Sequence, residues 1–172
     1  MTNTFKVTPD LYATKGNRFV NYIVDLIIIL FVFFGVIIGF VLLFYSFAEN
    51  TSSVDSLLND MENTNPILDR LITAIILAII YFALETLTKG RSVGKYITKT
   101  RVVLEDGSIP TVVNFLKRSF SRMIPFDAFS YLGAEGRGWH DTISKTYVVD
   151  IAKFEAKKMS HTELDQIGQI QS

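Results

Sequence analysis

The stretch of sequence that decides the fold runs from Gly16 to Phe40 and reads GNRFVNYIVDLIIILFVFFGVIIGF. Arg18 and Asp25 lie near its start, and no charged residue follows over the 22 residues from Leu26 to Phe47. At about 1.5 Å per residue, a helix of that length extends roughly 33 Å and exceeds the roughly 30 Å hydrocarbon core of a bilayer. This apolar run is much longer than the roughly 7–15 residues of a secretory signal peptide. We therefore predict a transmembrane helix over residues 18–47.

A second apolar run covers residues 67–87 and reads ILDRLITAIILAIIYFALETL. Its uncharged centre, Leu71 to Leu84, has 14 residues, a length that is also typical of a buried helix in a soluble protein. We nevertheless expect the run to span, because the first span requires a return path for the basic half of the chain. In that arrangement Asp69, Arg70 and Glu85 lie at the membrane interfaces.

Charged residues are distributed unevenly around the two runs. Residues 48–66 carry four acidic residues and no basic one, whereas thirteen of the seventeen lysines and arginines follow residue 87. Basic residues favour the cytoplasmic side of a membrane. The sequence therefore predicts an acidic extracytoplasmic loop over residues 48–66, a cytoplasmic N-terminal segment over residues 1–17 and a polar cytoplasmic tail over residues 153–172. The predicted location is the cell (inner) membrane.

The composition argues against several classes of protein. An apolar content of 49% and a mean hydropathy of +0.31 are too high for a soluble domain of 172 residues. A formal net charge of zero gives no indication of nucleic-acid binding. The chain has no cysteine, and its two histidines, His140 and His161, cannot build a zinc site alone. We expect no metal, no cofactor and no nucleic-acid partner.

The first helix places its polar residues and two glycines on one broad face. On a helical wheel Arg18, Asn21 and Asp25 share that face with Gly35 and Gly39. Small residues four apart allow another helix to approach closely, so this face is expected to point into protein. Arg18 and Asp25 are about 10.5 Å apart along the axis, which is too far for a direct ion pair. Each therefore needs a partner from elsewhere, either for a structural role at the membrane boundary or for ion or substrate handling.

The part after the second run, residues 88–152, contains signals for a small sheet. RVVLEDGSI, with a turn at Asp106-Gly107, and KTYVVDI, residues 145–151, are short and rich in β-branched residues. They predict two or three strands on the cytoplasmic side. The intervening motif GRSVGK lacks the spacing of a phosphate-binding loop. We expect it to end the second helix and to place Lys95 near lipid headgroups.

Residues 111–124 have the periodicity of an amphipathic helix that ends before Pro125. Lys117, Arg118 and Arg122 lie on its polar face. A basic amphipathic helix beside two spans is typical of the membrane interface, where these three side chains would contact anionic headgroups. Packing of the helix on the small sheet is the alternative.

Three chemically distinctive residues follow. Trp139, the only tryptophan, is expected to act as an interfacial anchor. The adjacent His140 and Asp141 are residue types used in acid–base catalysis. Because no nucleophile accompanies them, we predict no catalytic site and no enzymatic activity.

These motifs together resemble the RDD family of small membrane proteins, over about residues 13–151. The family is named after an arginine at the start of the first transmembrane helix, an aspartate within it and a second aspartate, which match Arg18, Asp25 and Asp141. The segments GRSVGK, TRVVLEDGS, FLKRSFSR and HDTISKTYVV are also similar to the family pattern. Many members have a third apolar segment before the final aspartate, but residues 124–136 are too short and polar to cross a membrane. The resemblance implies transport of unidentified ligands, with sodium/proton antiport in some members.

We combine these observations in the hypothesis of a polar clasp, formed by Arg18, Asp25 and Asp141 at the inner membrane edge. Asp141 is the expected partner of Arg18, and Arg122 or Lys95 is expected to reach Asp25. The supporting residues of the predicted site are Asn21, Glu85, Lys95, Arg122, Trp139 and His140.

The predicted fold class is an α-helical membrane protein with two transmembrane helices, an amphipathic helix on the cytoplasmic face and a small β-hairpin or sheet. Two functions are compatible with it, and the first is favoured because of the role that the resemblance implies. One is a transport-associated role as an oligomer or accessory subunit, because two spans alone cannot enclose an aqueous path. The other is a non-transporting scaffold or adaptor that binds a protein partner or anionic lipid. The expected partners are anionic headgroups and either further copies of the chain or another membrane subunit.

Overall fold

A computed structural model of the chain describes residues 5–47, 55–56, 59–60, 65–133 and 136–170. The helices are α1 (Lys15–Phe47), α2 (Pro66–Leu87), α3 (Val93–Ile97), α4 (Val112–Ser121), α5 (Asp127–Ser130), α6 (Trp139–Ser144) and α7 (Ile151–Ile170), and the strands are β1 (Thr100–Val103) and β2 (Tyr147–Asp150). The predicted fold class is confirmed, since the protein is mostly helical with two long apolar helices and a two-stranded antiparallel sheet. Most of the predicted acidic loop lies outside the described residues.

The two long helices α1 and α2 are long and apolar enough to cross a membrane. The side chain of Asn65 caps the start of α2 by accepting a hydrogen bond from the N–H of Ile67 at 2.9 Å. Gly90 ends the same helix: its N–H donates to the carbonyl of Glu85 at 2.8 Å, and its φ of +82° is one that glycine adopts readily. Both ends of α2 are therefore fixed by local sequence.

Burial in the two long helices is concentrated at the ends that lie near the sheet, which we call the sheet-proximal ends. The buried residues of α1 are Arg18, Asn21, Asp25 and Ile29, and none lies beyond Ile29. In α2 only Ala78 and Glu85 are buried. The remaining parts of both helices thus expose long apolar side chains.

The sheet depends on the N-terminal segment for its core. β1 and β2 pair from Thr100 opposite Asp150 to Val103 opposite Tyr147, and a sheet of only two strands is marginal by itself. The segment before α1 adds a bridge to β2 and donates the N–H of Ala13 to the carbonyl of Val148 at 2.9 Å. One buried apolar cluster is formed by Val7, Leu11, Val103, Val149 and Phe154, and a second by Ala13, Val102 and Val148.

Two predicted boundaries change. The predicted polar tail is helical from Ile151, and Phe154 anchors its first turn in the core, with no exposed surface. The amphipathic helix predicted over residues 111–124 begins after a capping box between Thr111 and Asn114 and ends at Ser121. Short backbone turns then lead to Pro125.

Candidate functional site

The sheet-proximal ends of α1 and α2 enclose a layer of buried charges, in which Glu85 of α2 is one centre. Its carboxylate has no solvent exposure and accepts from the ammonium of Lys95 at 2.8 Å and from Nε of Arg118 at 3.2 Å. The guanidinium of Arg122 lies 3.5 Å away. A buried carboxylate is costly unless it is paired, and three cations surround this one.

Asp141, in the first turn of α6, is the second centre. Arg18 donates to one of its carboxylate oxygens and Arg118 donates to the other, and all three side chains are buried. The N–H of Gly138 also donates to Asp141 at 3.1 Å. Burial alone would raise the pKa of Asp141, but Arg118 and Arg18 hold that pKa well below its usual range. The predicted contact between Arg18 and Asp141 is therefore present, with a second arginine added to it.

Arg118 connects the two centres, and its predicted position on the lipid-facing surface is wrong. It is 1% exposed, bonds both Glu85 and Asp141, and donates to the hydroxyl of Thr146 at 3.0 Å. The reason is that α4 turns its polar face inward, where the two buried carboxylates require a cation. Lys117, the neighbouring residue, is exposed as predicted.

Arg122 also departs from the predicted headgroup-facing role. Its guanidinium is mostly buried, pairs with Glu85, and lies 4.4 Å from the centre of the Tyr81 ring. The cation is thus held by a carboxylate and an aromatic face of the same helix, α2. It does not reach Asp25 in the structure.

Asp25 has different partners from those predicted. The hydroxyl of Ser92 donates to it at 2.5 Å, and the N–H of Gly94 donates at 2.9 Å. The carboxylate of α1 therefore caps the start of α3, where unpaired backbone N–H groups favour a negative charge. Neither Arg122 nor Lys95 bonds it, because both are held by Glu85.

Lys95 is buried, whereas the sequence predicts a position near lipid headgroups. It is 2% exposed and its ammonium faces Glu85. Burial lowers the pKa of Lys95, and the adjacent carboxylate of Glu85 opposes that shift. The short helix α3 therefore carries a cation into the layer instead of out to the surface.

Asn21 fixes the distance between α1 and the α3–β1 connection. Its side-chain amide contacts the hydroxyls of Thr98 and Thr100 at 2.6 and 3.0 Å. A Cβ atom on Gly94 would lie 2.7 Å from the Cα of Asn21, so only glycine permits this close approach. The predicted supporting role of Asn21 is thus one of packing two segments together.

His140 lies between two carboxylates. Its Nδ1 is 2.7 Å from Asp127, whose other oxygen accepts the backbone N–H of His140 at 2.9 Å, and its Nε2 is 3.4 Å from Asp141. Burial lowers the pKa of His140 to about 4, although the charge of Asp141 acts in the opposite direction. The ring is therefore neutral at neutral pH and donates from Nδ1 to Asp127. The preceding Trp139 is half-exposed, and its role as an interfacial anchor stays a prediction.

A small cavity of about 30 Å³ lies within the layer, lined by residues that include Arg18, Asp25, Tyr81, Lys95 and Arg122. That volume has room for about one or two water molecules. Among the residues that the structure describes, no group of three or more His, Asp or Glu side chains is arranged to hold a metal ion.

The glycine pair in α1 has no packing partner in the described part of the chain. A Cβ atom added at Gly35 or Gly39 would meet nothing within 4 Å. Their helix-packing role is therefore not fulfilled by α2, and it stays a prediction for contact with another chain.

The sequence does not predict three features of the layer. They are the burial of Arg118, the capping of α3 by Asp25 through Ser92, and the participation of Asp127. The first had a usable signal. Glu85 is a carboxylate within an apolar run, and Arg118 and Arg122 are four residues apart on one face of α4. A buried acid and two aligned cations are natural partners.

Comparison with known protein families gives a match over most of the chain. A model of the RDD family matches residues 12–149, a range that contains Arg18, Asp25 and Asp141. No curated protein and no solved structure shows a significant match to the chain. Because the family match covers well over half of the 172 residues, the chain belongs to the RDD family.

Proposed function

We propose that this protein is a non-transporting membrane scaffold, in which α1 and α2 cross the cell membrane and hold a folded layer at its cytoplasmic face. The observation that carries the proposal is the closure of the ionic layer. Four cations, Arg18, Lys95, Arg118 and Arg122, pair with the carboxylates of Glu85 and Asp141 across short contacts. The other two buried acids are held by neutral donors: Asp25 by Ser92 and Gly94, and Asp127 by His140. Such a balanced, buried network fixes geometry, as a scaffold requires.

The surroundings of Asp25 support a structural role over cation binding. A site for a hard cation presents several oxygen acceptors. The groups that bond Asp25 are instead donors, the hydroxyl of Ser92 and the N–H of Gly94. They stabilise the bare carboxylate and leave it no need for a cation.

The proposed orientation places both termini in the cytoplasm, because most basic residues follow α2 and the segment between the two helices carries acidic but no basic residues. Lys89, Lys99 and Lys117 are exposed near the sheet-proximal ends and would contact anionic headgroups. The exposed faces of α1 and α2 would contact lipid and a second membrane chain, either another copy or a different subunit. No enzymatic step forms part of this proposal.

The test is Asp25→Asn, with Asp69→Asn as the matched control because Asp69 is an exposed residue of α2. Loss of the charge that caps α3 should lower the free energy of unfolding by about 1–3 kcal/mol and reduce the amount of protein in the membrane. The control should change neither. Thermal unfolding in detergent and membrane abundance give the two readouts.

A second candidate, a transport-associated oligomer or accessory subunit, is favoured by the small cavity beside Asp25 and Tyr81 and by the role proposed for the family. It makes the opposite prediction for the same variant. If purified protein in liposomes moves a cation or proton, and Asp25→Asn abolishes that flux without changing the unfolding temperature, the scaffold proposal is overturned. A strictly monomeric state in native membrane would instead weigh against transport.

A further inference from the structure

The segment from α4 to Leu132 has its polarity reversed relative to a water-soluble domain. Apart from Lys117, its large outward side chains are apolar, and Phe126 is 77% exposed. The other exposed apolar residues of this segment are Val112, Val113, Leu116, Phe120, Ile124, Phe129 and Leu132.

Most of the inward side chains of the same segment are polar or charged, and Phe115 and Tyr131 are the buried aromatic ones. Arg118, Ser119 and Asp127 are at most 2% exposed. From residue 123 to residue 133 Asp127 is the only charged residue, so the outer face of this stretch carries no charge at all. Charged residues are rarely buried while large apolar residues face outward unless the surrounding medium is itself apolar.

Contacts with α2 give the direction in which α4 runs. Arg118 bonds Glu85, and one turn later Arg122 lies over the ring of Tyr81, one turn earlier in α2. The two helices are therefore antiparallel, and α4 advances from the sheet-proximal end of α2 toward its middle. Tyr81 precedes the last residue of α2, Leu87, by six positions, or about 9 Å along the helix.

The chain then returns along α1. The guanidinium of Arg18 lies 5.4 Å from the ring centre of Tyr131. The carbonyl of Leu132 accepts from the ammonium of Lys15, the first residue of α1, at 2.9 Å. Residues 122–131 thus form the tip of a hairpin that rises beside α2 and descends to the start of α1.

We propose that residues 116–132 are a re-entrant hairpin, whose tip enters the cytoplasmic leaflet beside the two spans and whose outer apolar face contacts lipid acyl chains. The inference rests on the proposed membrane insertion of α1 and α2. We assign lipid as the partner of this apolar face because the face continues onto α1, where Phe19, next to Arg18, is 50% exposed.

Tryptophan fluorescence tests the proposal, since the chain has one tryptophan. In a Trp139→Phe background, Phe126→Trp places the probe at the tip of the hairpin. Phe31→Trp, at an exposed site of α1, reports insertion of the span, and Met159→Trp, at an exposed site of α7, reports the aqueous side. Each protein is reconstituted in phosphatidylcholine vesicles with bromine atoms on the acyl chains, and only variants that unfold at the temperature of the background protein are compared.

We expect the Phe126→Trp and Phe31→Trp probes to lose most of their emission in brominated lipid, and the Met159→Trp probe to lose little. Quenching at position 31 without quenching at position 126 would overturn the hairpin and leave membrane insertion intact. Absence of quenching at both positions would refute membrane insertion itself. An unquenched, blue-shifted tip probe whose spectrum changes when the protein is diluted in lipid would show that a second copy covers this face, and would also overturn the proposal.

Discussion

At the sheet-proximal ends of α1 and α2, charged side chains are buried against α3, α4 and α6, whereas neither helix has a buried residue in its far half. The near halves are held by ion pairs between residues far apart in sequence, such as Arg18 and Asp141. The far halves expose mainly apolar side chains and, in α1, two glycines. The first region has its partners inside the chain, and the apolar side chains of the second have few partners in the described part of the chain.

This difference shows where the fold obtains its specificity. Apolar helices in lipid have little preference for one packing over another, because lipid tails are as apolar as the side chains. A buried carboxylate accepts few alternatives, because any arrangement without its cations is strongly disfavoured. The ionic layer therefore selects the relative positions of the helices.

The largest expected effect comes from Arg118→Met, which removes the cation shared by Glu85 and Asp141. Breaking a buried pair from one side typically costs about 3–5 kcal/mol, so most of the variant should fail to fold. Lys117→Met, on the exposed side of the same helix, is the matched control. The yield of monodisperse protein and its unfolding temperature in detergent measure the difference, and equal behaviour of the two variants would contradict a central role for the layer.

Arg18→Met should have a smaller effect, about 1.5–3 kcal/mol, because Asp141 retains Arg118 and the N–H of Gly138. Exchanging the charges, by Arg18→Asp with Asp141→Arg, should not restore stability, because the new arginine would face Arg118. A double-mutant cycle between Arg18→Met and Arg118→Met should be non-additive. Additive losses would mean that the two arginines do not share one carboxylate.

Glycine substitutions compare the ionic layer with the far half of α1 directly. Gly94→Ala forces a Cβ atom against the backbone of Asn21 and should destabilise the protein by about 1–3 kcal/mol. Gly39→Ala, with nothing within 4 Å, should leave the stability of the monomer unchanged or slightly increased. Crosslinking in native membrane completes the comparison: weaker association of Gly39→Ala would identify this face as a contact between chains. If Gly39→Ala destabilised the monomer, that result would contradict the absence of close contacts around Gly39.

Near neutral pH, the smallest expected effect is on pH dependence. Because the pKa of His140 is lowered to about 4 from 6.5, the unfolded chain binds one proton more than the folded chain between these values. Stability should be complete above about pH 6.5 and decline toward pH 4, by at most about 1.4 kcal/mol per pH unit. The groups that face the ring are Asp127, Asp141, Arg118 and Arg122. Unfolding temperatures measured across this range should flatten in His140→Gln, and an unchanged slope would exclude His140 as the origin.

Much of the molecule could be predicted from the sequence because local patterns determine it. The lengths of the two apolar runs, the strands and the need of Arg18 for a distant acid all follow from composition and spacing. The orientation of α4 could not be predicted in this way, because a helical wheel separates two faces without showing which one points inward. The burial of Lys95 could not be predicted either, because lysines usually lie on the surface. The N-terminal segment has no periodicity, so its place in the core of the sheet gave no signal.

The sharing of Asp141 has a consequence for how the protein is made. Asp141 is synthesised 123 residues after Arg18 and 23 residues after Arg118. Both long helices are therefore synthesised before Asp141, the residue whose carboxylate pairs with Arg18 and Arg118. A chain that ends before residue 141 leaves Arg18 without its carboxylate partner and leaves Arg118 with Glu85 alone, so the ionic layer can close only when synthesis is almost complete.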